Sequence, residues 1–315
     1  MMILRSALAV GALAFTVIPA IAAPFSSVVV FGDSNVDNGN LAAKGAAQNP
    51  PLVINPPPNF GGRNNNGPVV VEYLAMSLGV PLLDFAFSGA STARTAPNAL
   101  IPGTLSQIDG YLASVNGVAD PNALYVYWAG SNNLIGVGSD AALLATRISG
   151  AIADISEGLQ ELSDAGAGQI VVANRLPRTS LTSLDNLNGT ALNAAIAAEL
   201  PGLDEEFAAQ VTAYDSYAAI EDMIVNPERY GFQFVAPTDL CISAPACANN
   251  LAVGATYVFW DPAHKTTRVH ELMARDIAAL VAVPEPASLA LLAAGLAGLV
   301  ASRRRAGNTA AGNRV

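Results

Sequence analysis

Five short apolar runs, separated by longer stretches of helical periodicity, set the pattern of this chain. Residues 28–31, 82–86, 123–128, 169–173 and 256–259 are rich in β-branched or aromatic side chains, which predicts buried strands. Runs such as VVVF, YVYW and YVFW are too short and too β-prone to be buried helices, so an all-helical chain is disfavoured. Residues 104–115, 140–164 and 265–281 carry apolar positions at helical spacing. Pro68 starts a further helix through VVVEYLAMSL, which Gly79 ends. Region 188–225 predicts helix with a break at Pro201-Gly202, and 226–254 predicts loop. The Pro-, Gly- and Asn-rich stretch 45–68 predicts a long surface loop at the rim of a site. Strands alternating with helices predict an α/β domain, a parallel sheet covered by helices on both faces. No internal repeat or second-domain boundary is visible.

The strand ends carry the candidate chemistry. In VVVFGDSNVDNGN, residues 28–40, Gly32 permits a sharp turn and Asp33-Ser34 can begin a helix. A serine there is exposed at the carboxyl edge of the sheet, where free backbone N–H groups collect, although an ordinary N-cap serine would look the same. Far downstream, WDPAH places Asp261 three residues before His264, one of only two histidines. A serine hydroxyl attacks poorly unless a base accepts its proton, and an imidazole is suited to that exchange near neutral pH. A carboxylate on the other ring nitrogen fixes the useful tautomer. The alternative is a capping Asp261 and a surface His264. Two further strand ends hold Gly89 in FSGASTAR and Asn132 in AGSNN. Each is a candidate donor to a developing oxyanion, together with the Ser34 N–H, and each also fits an ordinary turn. For Gly89 the expected reason for glycine is a close backbone approach that leaves no room for Cβ.

Composition narrows the classes. Of 315 residues 52% are hydrophobic and 13% charged, with a formal net charge of −10. That is ample for one large core, and the acidity opposes nucleic-acid binding. No G-x-G-x-x-G follows the first strand, which disfavours a dinucleotide, and the sparse Cys and His disfavour a metal; no cofactor is expected. Asp33 and Asp37 form a weak candidate acid pair, because a glycosidase would need neither Ser34, Asn132 nor His264. His270 is expected to pack or hydrogen-bond on the closing helix rather than to act chemically. Cys241 and Cys247 are a candidate disulfide if the chain is exported.

Export is what the ends indicate. Residues 1–22 combine Arg5, an apolar run and Ala20-x-Ala22, as in a secretory signal peptide. After the domain at 23–283, the segment 284–306 has Pro284-Glu285-Pro286, an apolar run at 287–301 and Arg303, Arg304 and Arg305, before a short polar tail at 307–315. This predicts a stiff break, a short transmembrane helix and a basic stop, although the run is slightly short for a span. A carboxyl-terminal helix packed on the domain is the alternative. The ends contain five of the 15 basic residues and one of the 25 acidic ones, so the segment between them is near −14. Charge attraction to anionic lipid is therefore not expected.

FGDS with D-x-G-N, GRNNNGPVVVEYLA, Gly89, the GSNN turn and the Asp-x-x-His of WDPAH resemble the four blocks of the GDSL, or SGNH, serine esterases and lipases over roughly residues 27–280. The resemblance implies a three-layer α/β/α, flavodoxin-like fold with a mostly parallel five-stranded sheet. It implies a Ser34, His264 and Asp261 triad, an oxyanion hole from Ser34, Gly89 and Asn132, and hydrolysis of a carboxylic ester. A glycan O-deacetylase and a non-catalytic surface or matrix protein are the alternatives. Three positions depart from the family pattern: Asn133 follows Asn132 where aspartate is usual, Asn35 follows the GDS serine where leucine is usual, and Lys265 stands where proline is common. The segment 284–306 resembles the PEP-CTERM sorting signal of Gram-negative bacteria. That implies export across the inner membrane, transient membrane anchoring by the tail, an exosortase-type processing partner, and a surface or extracellular location after processing.

Overall fold

The computed structural model describes residues 25–96, 99–178 and 183–281. Five strands, β1 (Val28–Gly32), β2 (Leu82–Asp84), β3 (Leu124–Trp128), β4 (Gln169–Ala173) and β5 (Gln210–Tyr214), form one sheet in the order β2-β1-β3-β4-β5. Every neighbouring pair is parallel. The helices are α1 (Asn40–Ala46), α2 (Val70–Leu78), α3 (Thr104–Ser114), α4 (Ala141–Asp164), α5 (Leu184–Glu206), α6 (Ser216–Val225) and α10 (Thr267–Leu280), with single turns α7 (Pro227–Tyr230), α8 (Pro245–Ala248) and α9 (Leu251–Gly254) before the last.

Alternation along each strand divides the core into two layers. Val28, Val30, Val126 and Trp128 pack with α2, α6 and α10, whereas Val29, Phe31, Tyr125 and Tyr127 pack with α3, α4 and α5. Both strand faces are thus apolar, the signature of a parallel sheet with two covered faces. The chain reverses winding direction between β1 and β3, so a crevice opens at their carboxyl ends, where open α/β sheets place their ligands. Gly32 ends β1 with no space for a side chain: a Cβ there would lie 2.4 Å from the Trp128 carbonyl oxygen and 2.5 Å from Val36. Close approach to β3, rather than an unusual backbone angle, requires this glycine.

The fifth strand is not the expected one. Residues 210–214 were expected to be helical and form the edge strand β5, in which Val211 and Tyr214 are buried while Gln210 is exposed. Such a half-buried, five-residue strand leaves a weak apolar pattern, and its place is fixed by pairing with β4. Conversely, 256–259 makes only isolated bridges, to Phe234, Leu240 and Lys265. Its backbone is satisfied by the preceding loop and its own return: Val258 N–H donates to Phe234 O, Cys241 N–H to Phe259 O, and Thr266 N–H to Val258 O. Val258 and Phe259 are buried as a strand's side chains would be, and the hydrogen-bond partners differ. The expected break at Pro201 is also absent, because α5 runs through it with Leu200 and Leu203 buried on either side. No helix starts at Ser34; the chain turns there, and α1 begins at Asn40.

The polar stretch before α2 is irregular but partly internal. Asn65 and Asn66 are buried. Arg63 forms a two-pronged pair with Glu72, whose Oε2 also accepts the Val69 N–H at the start of α2. The Asn66 side chain accepts the Thr267 N–H at 2.8 Å, and Trp260 Nε1–H donates to Asn59 Oδ1 at 2.9 Å. Arg63 thus ties the loop to α2, and two amides tie it to α10 and the WDPAH segment. Cys241 and Cys247 are paired in a disulfide that packs with Trp260.

A further expectation is overturned. No helix among the described residues is long and apolar enough to cross a membrane, which corrects the expected transmembrane helix. The run at 287–301 on which it was placed, like the expected signal peptide at 1–22, lies outside the described residues.

Candidate active site

Ser34 lies in the turn just beyond β1, and His264 follows the buried 258–260 run. The two meet across 230 residues of chain, with His264 Nε2 2.8 Å from Ser34 Oγ. The other ring nitrogen, Nδ1, lies 2.8 Å from Asp261 Oδ2 and 3.0 Å from Oδ1. Asp261 Oδ1 also accepts the backbone N–H groups of Ala263 and His264, so the WDPAH turn is built on this carboxylate. Burial by itself would raise the Asp261 pKa. The ring hydrogen bond and charge of His264 and the two backbone donors outweigh burial and hold it below the ordinary carboxylate value. An ionised Asp261 accepting from Nδ1–H leaves Nε2 unprotonated and facing the serine hydroxyl.

The three expected oxyanion donors surround one pocket. Ser34, Gly89 and Asn132 line it together with Asn35, Asn64, Ser131, Leu176, Arg178, Ala263 and His264; its volume is about 170 Å³. Neither the Ser34 nor the Gly89 N–H has a protein acceptor among the described residues. The Asn132 amide donates one hydrogen to Ala90 O at 2.9 Å, which orients the side chain and leaves its second N–H. Gly89 has φ +84°, and a Cβ there would meet only Ile101 Cδ1 at 3.3 Å. Left-handed backbone, rather than lack of room, is why glycine is needed here.

The three departures from the family pattern acquire physical roles. Asn133 binds Thr92 twice, accepting its N–H and donating to Oγ1, and the Thr92 hydroxyl in turn donates to Asp154 on α4 at 2.5 Å. The amide thus passes the contact to a carboxylate one residue further away, and the Asn132 turn stays tied to the Gly89 loop. Asn35 folds back on Asp33, donating from backbone and side chain to Oδ1. Lys265 is fully buried; its Nζ donates to Pro177 O at 2.7 Å and lies 4.9 Å from the centre of the Phe259 ring. Burial pushes its pKa down to about 7, with the Arg175 and Arg178 charges acting the same way against Asp261.

Asp33 and Asp37 do not form an acid pair. Asp37 is buried and saturated by the N–H groups of Gly39, Asn40 and Ser88 and by the Ser88 hydroxyl. It closes the turn into α1. Asp33 is raised by burial against its bonds from Asn35, and its Oδ2 has no partner among the described residues. His270 is buried on α10, its Nδ1 is unbonded, and burial with the Lys265 and His264 charges lowers its pKa to about 3. It packs as a neutral ring. No cluster of ligating side chains suited to a metal occurs among the described residues.

Sequence reasoning overlooked the contribution of β4. Leu176 and Arg178, just past its end, line the pocket. The available signal was position alone, since the ends of β1, β2 and β3 also supply the site.

The profile of the GDSL-like Lipase/Acylhydrolase family matches residues 28–277, and that of the PEP-CTERM protein-sorting motif matches 282–305. The chain is 26% identical over 281 residues to the thermolabile hemolysin of Vibrio parahaemolyticus, covering 80% of this chain and 63% of that protein. A GDSL esterase/lipase of Arabidopsis thaliana is 25% identical over 306 residues, 78% of this chain and 88% of its own. An acetylesterase of Hypocrea jecorina is 30% identical over 179 residues, 51% of each chain. A solved structure of a lipolytic G-D-S-L family member from Veillonella parvula superimposes with a TM-score of 0.48 at 14% identity, over 81% of this chain and 97% of that one.

Proposed function

Because the chain belongs to the GDSL-like lipase/acylhydrolase family, we propose that it hydrolyses carboxylic esters through an acyl-enzyme on Ser34, with His264 as general base and Asp261 as its orienter. The contact that carries this reading is the 2.8 Å approach of His264 Nε2 to Ser34 Oγ, with Nδ1 held by Asp261. Ser34 Oγ attacks the ester carbonyl as its proton passes to Nε2. The negative oxygen of the tetrahedral species is received by the Ser34 and Gly89 N–H groups and the remaining Asn132 N–H. Collapse expels the alcohol, which takes the proton from Nε2. Water then repeats the sequence, giving up its proton to His264, and frees the acid and Ser34.

The pocket supports a short acyl group on a polar alcohol. Leu176 and Ala263 are its only apolar side chains among the described residues; the rest are hydroxyl, amide, imidazole and guanidinium groups. A long acyl chain would need an apolar trough beside Ser34. Acetylated or similarly acylated glycans fit this lining, and the likeness to an acetylesterase points the same way.

The sorting motif at 282–305 supports action outside the cytoplasm. In this reading residues 1–22 are a removed signal peptide, 23–283 the working domain, and an exosortase-type enzyme processes the segment beyond it. Ser34→Ala tests the catalytic part: p-nitrophenyl acetate turnover should disappear while the circular dichroism melt is preserved. Wild-type turnover by a folded variant would reject Ser34 as the nucleophile.

A further inference from the structure

Arg178 is the only Lys or Arg among the described residues lining the Ser34 pocket, and the fold has invested in holding it there. Its backbone is clamped on both sides by the buried Asn186 of α5, whose Oδ1 accepts the Arg178 N–H at 2.7 Å while Nδ2 donates to the Arg178 carbonyl at 3.2 Å. The preceding residue, Pro177, accepts Lys265 Nζ, and Lys265 directly follows His264 in the chain. The cation is therefore fixed relative to the base as well as to α5.

Its charge is only partly spent. Nε lies 3.2 Å from Asp185 Oδ2, and that same oxygen also pairs with the buried guanidinium of Arg175. Two guanidinium groups share one carboxylate. Neither terminal nitrogen of Arg178 has a protein partner among the described residues, and about a third of the side chain is exposed. The other carboxylates nearby do not balance it, because Asp261 is engaged with His264 and burial disfavours the charged form of Asp33. Arg175 and Arg178 are two of only ten Lys and Arg residues between 23 and 283, in a segment near −14. A guanidinium only partly neutralised against that background, in the pocket of the nucleophile, is arranged to receive an anion.

Arg178 also lines a second cavity of about 260 Å³, walled by Leu134, Ile135 and Leu184 among others. The guanidinium thus stands between the ester site and an adjoining space that can take the remainder of a larger substrate.

We propose that Arg178 binds a carboxylate or phosphate carried by the substrate itself, making the enzyme selective for anionic esters. This rests on the Ser34 esterase reading and adds the substrate class. A free guanidinium presents two parallel N–H donors to such a group, a geometry that a neutral hydroxyl cannot match.

Two matched pairs test it, each read as the ratio of kcat/KM for the anionic ester to that for the neutral one. p-Nitrophenyl hemisuccinate against p-nitrophenyl butyrate places the charge on the acyl side, and acetylated methyl glucuronoside against acetylated methyl glucoside places it on the alcohol side. At least one ratio should fall about tenfold or more in Arg178→Gln, as expected for losing one charge-assisted hydrogen bond, and Arg178→Lys should restore part of it. In the wild type, 0.5 M NaCl should lower the same ratio, a readout independent of any folding defect in the variants. Ratios unchanged by substitution and by salt would overturn the proposal while leaving the esterase reading intact. A wild-type protein inactive on all four esters would instead remove the reading on which it rests.

Discussion

Replacing Asp261 by asparagine changes one atom type in the site and separates two roles of that side chain. The asparagine Oδ1 can still accept the Ala263 and His264 backbone N–H groups, so the turn should survive. What changes is the face toward the ring. An amide N–H pointing at Nδ1 favours the tautomer that carries its proton on Nε2, and Nε2 then cannot accept the Ser34 proton. The charge is lost as well. As the transition state forms, His264 becomes an imidazolium beside the Asp261 carboxylate, with closest atoms 2.8 Å apart. Two unit charges centred about 4 Å apart interact by about 4 kcal/mol at an effective dielectric near 20. That corresponds to roughly 10³ in rate, and the wrong tautomer adds to it, so kcat should fall about 10³- to 10⁴-fold. The assay is p-nitrophenyl acetate hydrolysis with burst-phase titration of Ser34, beside a thermal melt. KM and Tm should move little, because neither substrate nor core touches the substituted atom. A folded Asp261→Asn enzyme keeping more than about a tenth of wild-type kcat would refute the assignment of Asp261 as the group that orients and stabilises His264.

The remaining predictions concern the same pocket and its support. Lys265 has a folded pKa near 7 against an ordinary 10.5, so between those values the unfolded chain binds more protons and stability rises with pH. Urea unfolding from pH 7 to 9 should show wild-type stability climbing relative to Lys265→Met, by up to about 1.4 kcal/mol per pH unit; parallel curves would mean the lysine is not buried as a neutral amine. Gly89→Ala forces a side chain onto φ +84°, at a cost of about 1–2 kcal/mol. It should lower Tm and, by shifting the N–H donor, reduce kcat about 10- to 100-fold with little change in KM. A variant with unaltered kcat would exclude Gly89 from the oxyanion site.

Local pattern alone determined the sheet's first four strands, the helices from α2 to α4 and the closing α10, because each buries an apolar face whose spacing is written in the chain. The resemblance of its short motifs to the GDSL family's blocks made Ser34, Gly89, Asn132, Asp261 and His264 the candidates, since such a motif keeps the residue types its turn and chemistry require. The fifth strand was decided only by tertiary structure. Residues 210–214 and 256–259 differ in apolar content in the wrong direction, and what makes the first a strand is an open edge of β4 to pair with, while the second finds its partners in the 234–242 loop. Hydrogen-bond partners distant in sequence leave no local trace. Arg178 belongs to the same class: nothing in NRLPRTSL marks it, and its importance arises from Asn186, Asp185 and Lys265 converging on one loop. The amides of the 45–68 stretch do likewise, since composition shows that they cannot form regular structure but not which distant groups, the Thr267 N–H and the Trp260 indole among them, they satisfy.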